Sequence, residues 1–420
     1  MKKIFGFVLV AVALTAAIIA LTQSTSNTVA AAPATRQNRL QQTVESLQRK
    51  LNRVPGDASG WARLGGSYVE LARVTADPTY YAKAQGSLDR SLRLVPEGNG
   101  EAMIGMGALA NARHDFTAAK DWATRAQTVL PRTAEVYGVL ADALTQLGDD
   151  QGAMDAVQQM LDLRPNVAAF TRASYHFELH GQPAEAQEAM RRALESAASA
   201  DEIAFCRYQL GELAFNSGRL DDAVSHYEQG LTANPKDPAL LHGQAKISAA
   251  RGQLDEAFDG YHQVVARAPQ YLPEYARLLL TSGRTEEAKK QYEIIGQQEK
   301  LLVSQGATDD LVAALTAADR GDKAEALDRA QAEWARRQSV FVADAMAWAL
   351  HINGRDAEAL PYAEKAAALG WRNSTFAYHR GMILTGLGRT AEAAQFLSDA
   401  LAINPYFPDA AEARKHLGSR

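Results

Sequence analysis

Apolar residues near the start of the chain recur at helical spacing. Leu40, Val44 and Leu47 are separated by four and three positions, and this spacing places them on one face of an α-helix. The pattern stops at Pro55, because proline has no N–H group with which to continue a helix. The sequence therefore predicts a helix within residues 37–57.

Downstream of this helix, prolines that end helices and glycines that separate them return 34 residues apart. The pairs are Pro131 and Pro165, Pro235 and Pro269, Gly218 and Gly252, and Gly354 and Gly388. A fixed period of this length is typical of a repeated structural unit. Alignment on these positions gives ten units, which begin near Ala58, Gly100, Thr133, Val167, Ala204, Pro238, Pro269, Ala307, Val340 and Ser374.

The first unit carries the sequence that identifies the repeat. Residues 61–68 read WARLGGSY and match the pattern W-x2-L-G-x2-Y of a tetratricopeptide repeat. Over residues 58–405 the chain resembles the tetratricopeptide-repeat family. The resemblance implies an all-α fold, a right-handed α-solenoid of about ten helix pairs (helix A and helix B) with terminal capping helices. In such a pair, Gly65 and Gly211 are expected where helix B presses against the backbone of helix A.

The N-terminus predicts export. Lys2 and Lys3 precede an uncharged apolar run from Ile4 to Leu21, and this order leaves the rest of the chain outside the membrane. We expect a retained anchor of an exported, bacterial-type protein, and cleavage among the small residues 29–32 is the alternative. The expected organisation is a signal or anchor at 1–21, a flexible linker at 22–36, a capping helix at 37–57, the repeat array at 58–405 and a capping segment at 406–420.

Composition and the types of reactive residue limit the classes of function that the sequence supports. The 44 basic and 49 acidic residues give a net charge of −5, which does not favour nucleic acid as a partner. Cys206 is the single cysteine, and we expect a buried, unreactive thiol. His176 and His180 share a helix face but lack a third neighbouring ligand, so we interpret them as structural. Acidic pairs at the start of helix B complement the helix N-terminus. We expect no catalytic residue, no metal and no cofactor.

In the tetratricopeptide-repeat family, residues of helix A that face away from helix B line a groove that binds peptides. The resemblance places twelve residues there: Arg172, Tyr175, Tyr208, Glu212, His242, Lys246, Arg277, Asp344, Trp348, His351, Tyr378 and Met382. Phe205, Tyr208 and Phe215 could belong either to this groove or to the core. Trp348 lies two positions, about 200°, from Met346 on the core face, so we expect it to point into the groove or against a neighbouring helix A.

The sequence thus predicts an extracytoplasmic, non-catalytic scaffold that binds a protein or peptide partner in its groove and is tethered to the membrane by its N-terminal segment. One alternative is a factor that holds apocytochrome, because GWARLGGSYVELAR after a membrane segment also resembles cytochrome c maturation proteins. The other alternative is a metal-dependent enzyme or small-molecule binder that uses the histidine, tyrosine and tryptophan residues of the groove.

Overall fold

The computed structural model describes residues 36–418, which fold into twenty-two α-helices and one short 3-10 turn without any β-strand. The predicted all-α class is confirmed. The helices are α1 (Arg36–Arg53), α2 (Ala58–Thr75), α3 (Tyr80–Leu94), α4 (Gly100–Ala112), α5 (Phe116–Val129), α6 (Ala134–Leu147), α7 (Asp150–Leu163), α8 (Val167–Leu179), α9 (Pro183–Glu195), α10 (Ala200–Asn216) and α11 (Leu220–Ala233). They continue with α12 (Pro238–Ala250), α13 (Leu254–Val265), α14 (Leu272–Thr281), α15 (Thr285–Ser304), α16 (Asp310–Arg320), α17 (Lys323–Arg336), α18 (Val340–Ile352), α19 (Asp356–Ala366), α20 (Ser374–Gly386), α21 (Thr390–Ile403) and α22 (Ala410–Gly418), and the 3-10 turn is Pro269–Tyr271.

Helices α2 to α21 form ten successive pairs, flanked by α1 and α22. Six of the ten predicted starts coincide with the first residue of an even-numbered helix. Unit five differs, because α10 begins at Ala200 and not at Ala204. There the Ser199 hydroxyl caps the helix by accepting from the backbone N–H of Glu202 at 3.2 Å, and a serine N-cap fixes a helix start.

Side chains of the predicted types end and begin the helices. Asp149 caps α7 by accepting from the backbone N–H of Gly152 at 3.0 Å, and Asp221 and Asp222 occupy the first turn of α11, where a negative charge meets the helix dipole. After helix A of unit five, Gly218 adopts a φ of 71°, which is the left-handed conformation common one residue beyond a helix end.

Close approach of the two helices in a pair explains the glycines of helix A. A Cβ atom at Gly65 would lie 2.5 Å from Cγ of Leu88 on α3, and one at Gly211 would lie 2.2 Å from the ring of Tyr227 on α11. Neither distance leaves room for a methyl group. The expectation that helix B presses against the backbone at these positions is confirmed.

The described residues divide into two compact units. The N-terminal unit comprises residues 36–172 and 300–308, and the C-terminal unit comprises residues 173–299 and 309–418. The core of the N-terminal unit is built from aliphatic and small side chains such as Leu51, Leu71 and Leu88. In the C-terminal unit α18 is buried on all sides, since each residue from 341 to 350 is enclosed.

Turns from distant pairs meet within the C-terminal unit. A Cβ atom at Gly181, after α8, would lie 2.3 Å from the carbonyl oxygen of Gly370, before α20. A Cβ atom at Gly218, after α10, would lie 2.8 Å from Cδ of Pro405, after α21. The early and late helix pairs of this unit therefore touch one another directly.

No helix between residues 36 and 418 is both long and apolar enough to cross a membrane. The segment 4–21, which the sequence predicts to be an anchor, lies outside the described residues, as does most of the predicted linker at 22–36.

Candidate functional site

The structure buries most of the residues that were predicted to line an open groove. Nine of the twelve are buried, while Tyr175, His351 and Met382 are half-buried. Arg172 belongs to the N-terminal unit and the other eleven to the C-terminal unit. The buried residues are Arg172, Tyr208, Glu212, His242, Lys246, Arg277, Asp344, Trp348 and Tyr378. For Tyr208 and Trp348 this burial agrees with the second predicted placement, in the core or against a neighbouring helix A. The role of all nine residues in peptide binding stays a prediction.

Four of the predicted residues join in one buried hydrogen-bonded cluster on α10 to α14, which we call the glutamate cluster (Tyr208, Glu212, Tyr227, His242, Lys246, Tyr261, Tyr271 and Glu274). Its first half centres on Glu212. This carboxylate accepts from the Tyr227 hydroxyl at 2.5 Å and from Lys246 Nζ at 2.7 Å. The Lys246 ammonium also lies 4.3 Å from the centre of the Phe215 ring, a cation–π contact.

The second half of the glutamate cluster centres on Glu274. Its carboxylate accepts from the Tyr261 hydroxyl at 2.5 Å and from His242 Nε2 at 2.8 Å. The His242 ring stacks on Tyr271 with centroids 3.8 Å apart, and its Nδ1 lies 3.3 Å from the Tyr208 hydroxyl. His242, one of the predicted groove residues, thus contacts the side chains of Glu274, Tyr271 and Tyr208.

Burial sets the protonation states in the glutamate cluster. Burial raises the pKa of Tyr227 and of Tyr261 well above 10, so both hydroxyls remain hydrogen-bond donors. Burial also acts to raise the pKa of Glu274, but the attraction of His242 and Lys246 outweighs it and holds that pKa at about 2. Glu274 is therefore a carboxylate across the neutral range, with a side chain that is 24% exposed.

A second buried group, the tryptophan cluster (Asp344, Trp348, His351, Tyr378 and His379), lies on α18 and α20. Asp344 and His379 Nδ1 are 2.9 Å apart, and the Trp348 ring stacks on His379 with centroids 4.0 Å apart. Trp348 is 2% exposed. Of the two predicted placements for Trp348, the structure shows the contact with a neighbouring helix A, because His379 of α20 covers its ring.

Arg277 binds residues that are remote in sequence. Its Nη2 lies 2.6 Å from Oδ1 of Asp409, just before α22, and its Nε lies 3.9 Å from Oδ1 of Asp319 on α16. All three side chains are buried. No sequence signal linked them, since Arg277 and Asp409 are 132 positions apart.

The two remaining predicted residues near α8 have separate partners. In the N-terminal unit, Arg172 donates from Nε and Nη2 to the two carboxylate oxygens of Asp142 at 2.8 and 2.7 Å. Burial raises the pKa of Asp142 to about 6 although Arg172 opposes this shift. In the C-terminal unit, Tyr175 stacks on Phe341 with centroids 6.4 Å apart.

Sequence reasoning missed several members of these clusters. Glu274 and Tyr271 were not among the predicted groove residues, and neither was His379, which is adjacent to the predicted Tyr378. Tyr261 lies 34 positions after Tyr227 on the next helix B, outside the helix A positions from which the groove was predicted. The 34-residue step from Tyr208 to His242 was a usable signal, since equal positions on successive A helices lie side by side.

Among the residues that the sequence singles out, the histidine pair and the single cysteine are the remaining side chains of types that can bind a metal ion. The rings of His176 and His180 stack with centroids 4.0 Å apart. Burial, and to a smaller extent the charge of His180, lowers the pKa of His176 to about 4. Within residues 36–418 no three His, Cys, Asp or Glu side chains are arranged to hold a metal ion. Cys206 is buried, as predicted, and burial raises the pKa of its thiol to about 12.

Family models match three segments of the chain. Models of the tetratricopeptide repeat match residues 104–168, 214–280 and 345–408. These segments are similar to tetratricopeptide repeats. Residues 214–280 hold His242, Lys246 and Arg277, and residues 345–408 hold Trp348 and Tyr378. Most residues of the buried clusters therefore lie in segments that match tetratricopeptide-repeat models.

Several known proteins are similar to parts of this chain. Hsp70-Hsp90 organizing protein 2 of Arabidopsis thaliana is 25% identical over 151 residues, which cover 34% of this chain and 25% of that protein, so the chain spans a quarter of that relative. A tetratricopeptide-repeat protein of Thermus thermophilus is 21% identical, with a TM-score of 0.39 over 46% of this chain and 97% of that one. The APC/C hetero-tetramer Cut9-Hcn1 is 13% identical, with a TM-score of 0.41 over 91% and 96%.

Proposed function

We propose that this protein is an extracytoplasmic, non-catalytic scaffold that binds a segment of a partner protein along the A helices of its C-terminal unit. The tetratricopeptide-repeat fold fits a protein-interaction role. The observation that carries the proposal is the alignment of polar side chains on successive A helices. Tyr208 faces His242, and Glu212 faces Lys246, each 34 positions on.

Such a row is hard to explain by stability. Charged groups lose favourable hydration when they are buried, and a buried ion pair contributes little compared with well-packed apolar residues. Aligned polar and aromatic side chains, by contrast, provide the hydrogen bonds and ring contacts by which a peptide segment is recognised. The row therefore favours recognition of a polar segment.

We propose that a partner first contacts this row of side chains at the residues that solvent can reach. Glu274 retains 24% exposure of its side chain, and Tyr271 is half-buried. Glu274 is also the residue through which His242 and Tyr261 are joined. A partner that pairs with this carboxylate would reach the glutamate cluster from solvent.

The extracytoplasmic location rests on the N-terminal sequence. Lys2, Lys3 and the apolar run at 4–21 favour export with a retained anchor. The measurement is carbonate extraction of membranes, with mass spectrometry of the mature N-terminus. A protein that resists extraction and begins at Met1 supports the anchor, whereas a soluble form that begins within residues 30–33 shows a cleaved signal.

The binding proposal is tested by photo-crosslinking in the native cell. A photoreactive amino acid replaces Glu274 or Tyr271, and a matched replacement at Asp328, an exposed residue of α17, serves as the control. We expect a crosslinked partner at the first two positions and none at Asp328. Equal products at all three positions, or none at Glu274 and Tyr271, would contradict the proposal.

The captured species also separates the alternatives. Apocytochrome as the crosslinked product would support a cytochrome maturation role. Stoichiometric zinc in the purified protein, lost on replacement of His176 and His180, would support a metal-dependent activity and contradict a non-catalytic scaffold.

A further inference from the structure

The C-terminal end of the repeat array runs into the interior of the C-terminal unit. We call residues 404–409, between α21 and α22, the closing segment. Asn404, Phe407 and Asp409 are buried, while Tyr406 is exposed. The segment follows a series of turns and directs some side chains inward and others outward.

The closing segment contacts helices that belong to three different pairs. Asp409 accepts from Arg277 on α14 at 2.6 Å, and Phe407 lies 5.7 Å, between ring centroids, from Tyr378 on α20. Pro405 lies against the turn at Gly218 that follows α10. Arg277 and Tyr378 are both residues at which the sequence predicted peptide contacts.

Around Asp409, the closing segment leaves several buried polar groups of the described chain without a hydrogen-bond partner. Within residues 36–418 neither carboxylate oxygen of Asp319 has a hydrogen-bond partner, and the same holds for the hydroxyls of Tyr292 and Tyr378. All three side chains are buried. Oδ1 of Asp319 lies 3.9 Å from Nε of Arg277. Burial raises the pKa of Tyr292 and of Tyr378, and the nearby Arg277 charge opposes this rise.

Unsatisfied buried polar groups are unfavourable, so the contact with the closing segment is incomplete. A ligand that places a carboxylate on Arg277 and also supplies hydrogen bonds to these groups would bind better than the chain's own segment does. Release of the closing segment would expose a site with an arginine and an aromatic wall, the combination that commonly dominates binding energy at interfaces.

We propose that Arg277, Asp319 and Tyr378 form a recognition site for an acidic segment of a partner protein, and that the closing segment occupies this site until the partner displaces it. The chemistry of the closing segment describes the partner: an aromatic residue, followed two positions later by an aspartate. This inference rests on the proposed scaffold function, because it specifies what the C-terminal unit binds.

The test uses the full chain and a fluorescent synthetic peptide of residues 402–418 as the probe. The closing segment competes with the probe, so apparent affinity falls with the fraction of chains in which the site is free. We expect Asp409→Asn in the full chain to tighten probe binding at least tenfold. Asp328→Asn, which changes an exposed carboxylate, is the matched control and should leave the affinity unchanged.

Two further arms identify the site. A probe that carries Asn in place of its own aspartate should bind at least tenfold more weakly, and Arg277→Gln in the full chain should abolish binding of the unmodified probe. Two results would overturn the proposal, because each would show that the site does not recognise the carboxylate. The folded Asp409→Asn chain could bind both probes with equal affinity, or it could bind the unmodified probe no more tightly than the Asp328→Asn control does.

A measurement on the unchanged protein covers the case in which a variant does not fold. Hydrogen exchange of the chain's own residues 404–418 is followed while an isotopically labelled probe is added. We expect faster exchange in this segment and no change in α2 to α5. Unaltered exchange at a saturating probe concentration would overturn the inference. The scaffold function would still stand if Glu274 crosslinks to a partner, so the two failures are distinguishable.

Discussion

The two units use the same repeat but enclose different kinds of polar groups. Among residues 36–172, Arg172 is the one charged residue that is buried, and the other buried polar side chains are neutral. Asn111, for example, donates to the backbone carbonyl of Val139 at 3.0 Å. Among residues 173–418, charged side chains such as Lys246, Arg277 and Asp409 are buried.

This difference separates what the repeat requires from what it permits. In the N-terminal unit, small residues at helix contacts and neutral hydrogen bonds to the backbone predominate, and the pair of Arg172 with Asp142 is its ion pair with a buried arginine. The ion pairs of the C-terminal unit are additional to these features. We therefore expect the two units to respond differently to substitution of their buried polar and aromatic side chains.

The largest effect is expected at Trp348. Replacement by alanine removes a fully enclosed ring, and truncation of a buried tryptophan costs about 3–5 kcal/mol of stability. Trp122 of the N-terminal unit, which is half-buried beside Arg125, is the matched comparison and should lose much less. Urea unfolding followed by circular dichroism measures both variants, and equal midpoints would show that Trp348 is not a core residue.

A smaller loss is expected from breaking one buried ion pair. Lys246→Met leaves the carboxylate of Glu212 without its cation, and removal of one partner of a buried pair costs about 3–4 kcal/mol. The double variant Glu212→Leu with Lys246→Met removes both charges and should recover part of this loss. A double variant less stable than Lys246→Met alone would contradict the view that the pair contributes little net stability.

A pH-dependent effect is expected at Glu178. Burial raises its pKa from 4.5 to about 7, so between these values the folded state holds a proton that the unfolded state has lost. Stability therefore falls as pH rises through this window. Glu178→Gln removes this dependence and keeps an acceptor for Asn216 and Trp371.

Thermal unfolding across pH measures the Glu178 effect. We expect the Glu178→Gln variant to match the natural protein near pH 4.5 and to exceed its stability at pH 8 by up to about 3 kcal/mol, at 1.36 kcal/mol per pKa unit. Asp328→Asn, which changes an exposed carboxylate of α17, is the control. A stability difference that shrinks as pH rises would mean that the sign of the pKa shift is wrong.

The smallest effect is expected in the N-terminal unit. Asn111→Ala removes its hydrogen bond to Val139 and leaves that carbonyl oxygen without this partner, at a cost of about 1–2 kcal/mol. If this neutral substitution destabilises the protein as much as Lys246→Met does, the distinction between the two units does not hold.

Local features of the fold were predictable, because they depend on residues close in sequence. The 34-residue period, the glycines after helix A and the close contact at Gly65 all follow from one helix and its neighbour. The surroundings of Trp348 and Arg277 were not predictable in this way. Helical periodicity gives the direction in which Trp348 points, but it does not say that His379 covers that direction. Asp409 reaches Arg277 only through the three-dimensional path of the chain.

The contacts of Gly181 with Gly370, and of Gly218 with Pro405, have a consequence for biosynthesis and for evolution. In an open array each unit contacts only its neighbours, so units can be gained or lost one at a time and folding can spread from one unit to the next as they emerge during translation. Within residues 173–418, loss of a single pair would separate turns that now touch. The number of pairs there is therefore fixed, and the early helices of this unit must wait for residues 370–409 before they can be fully enclosed.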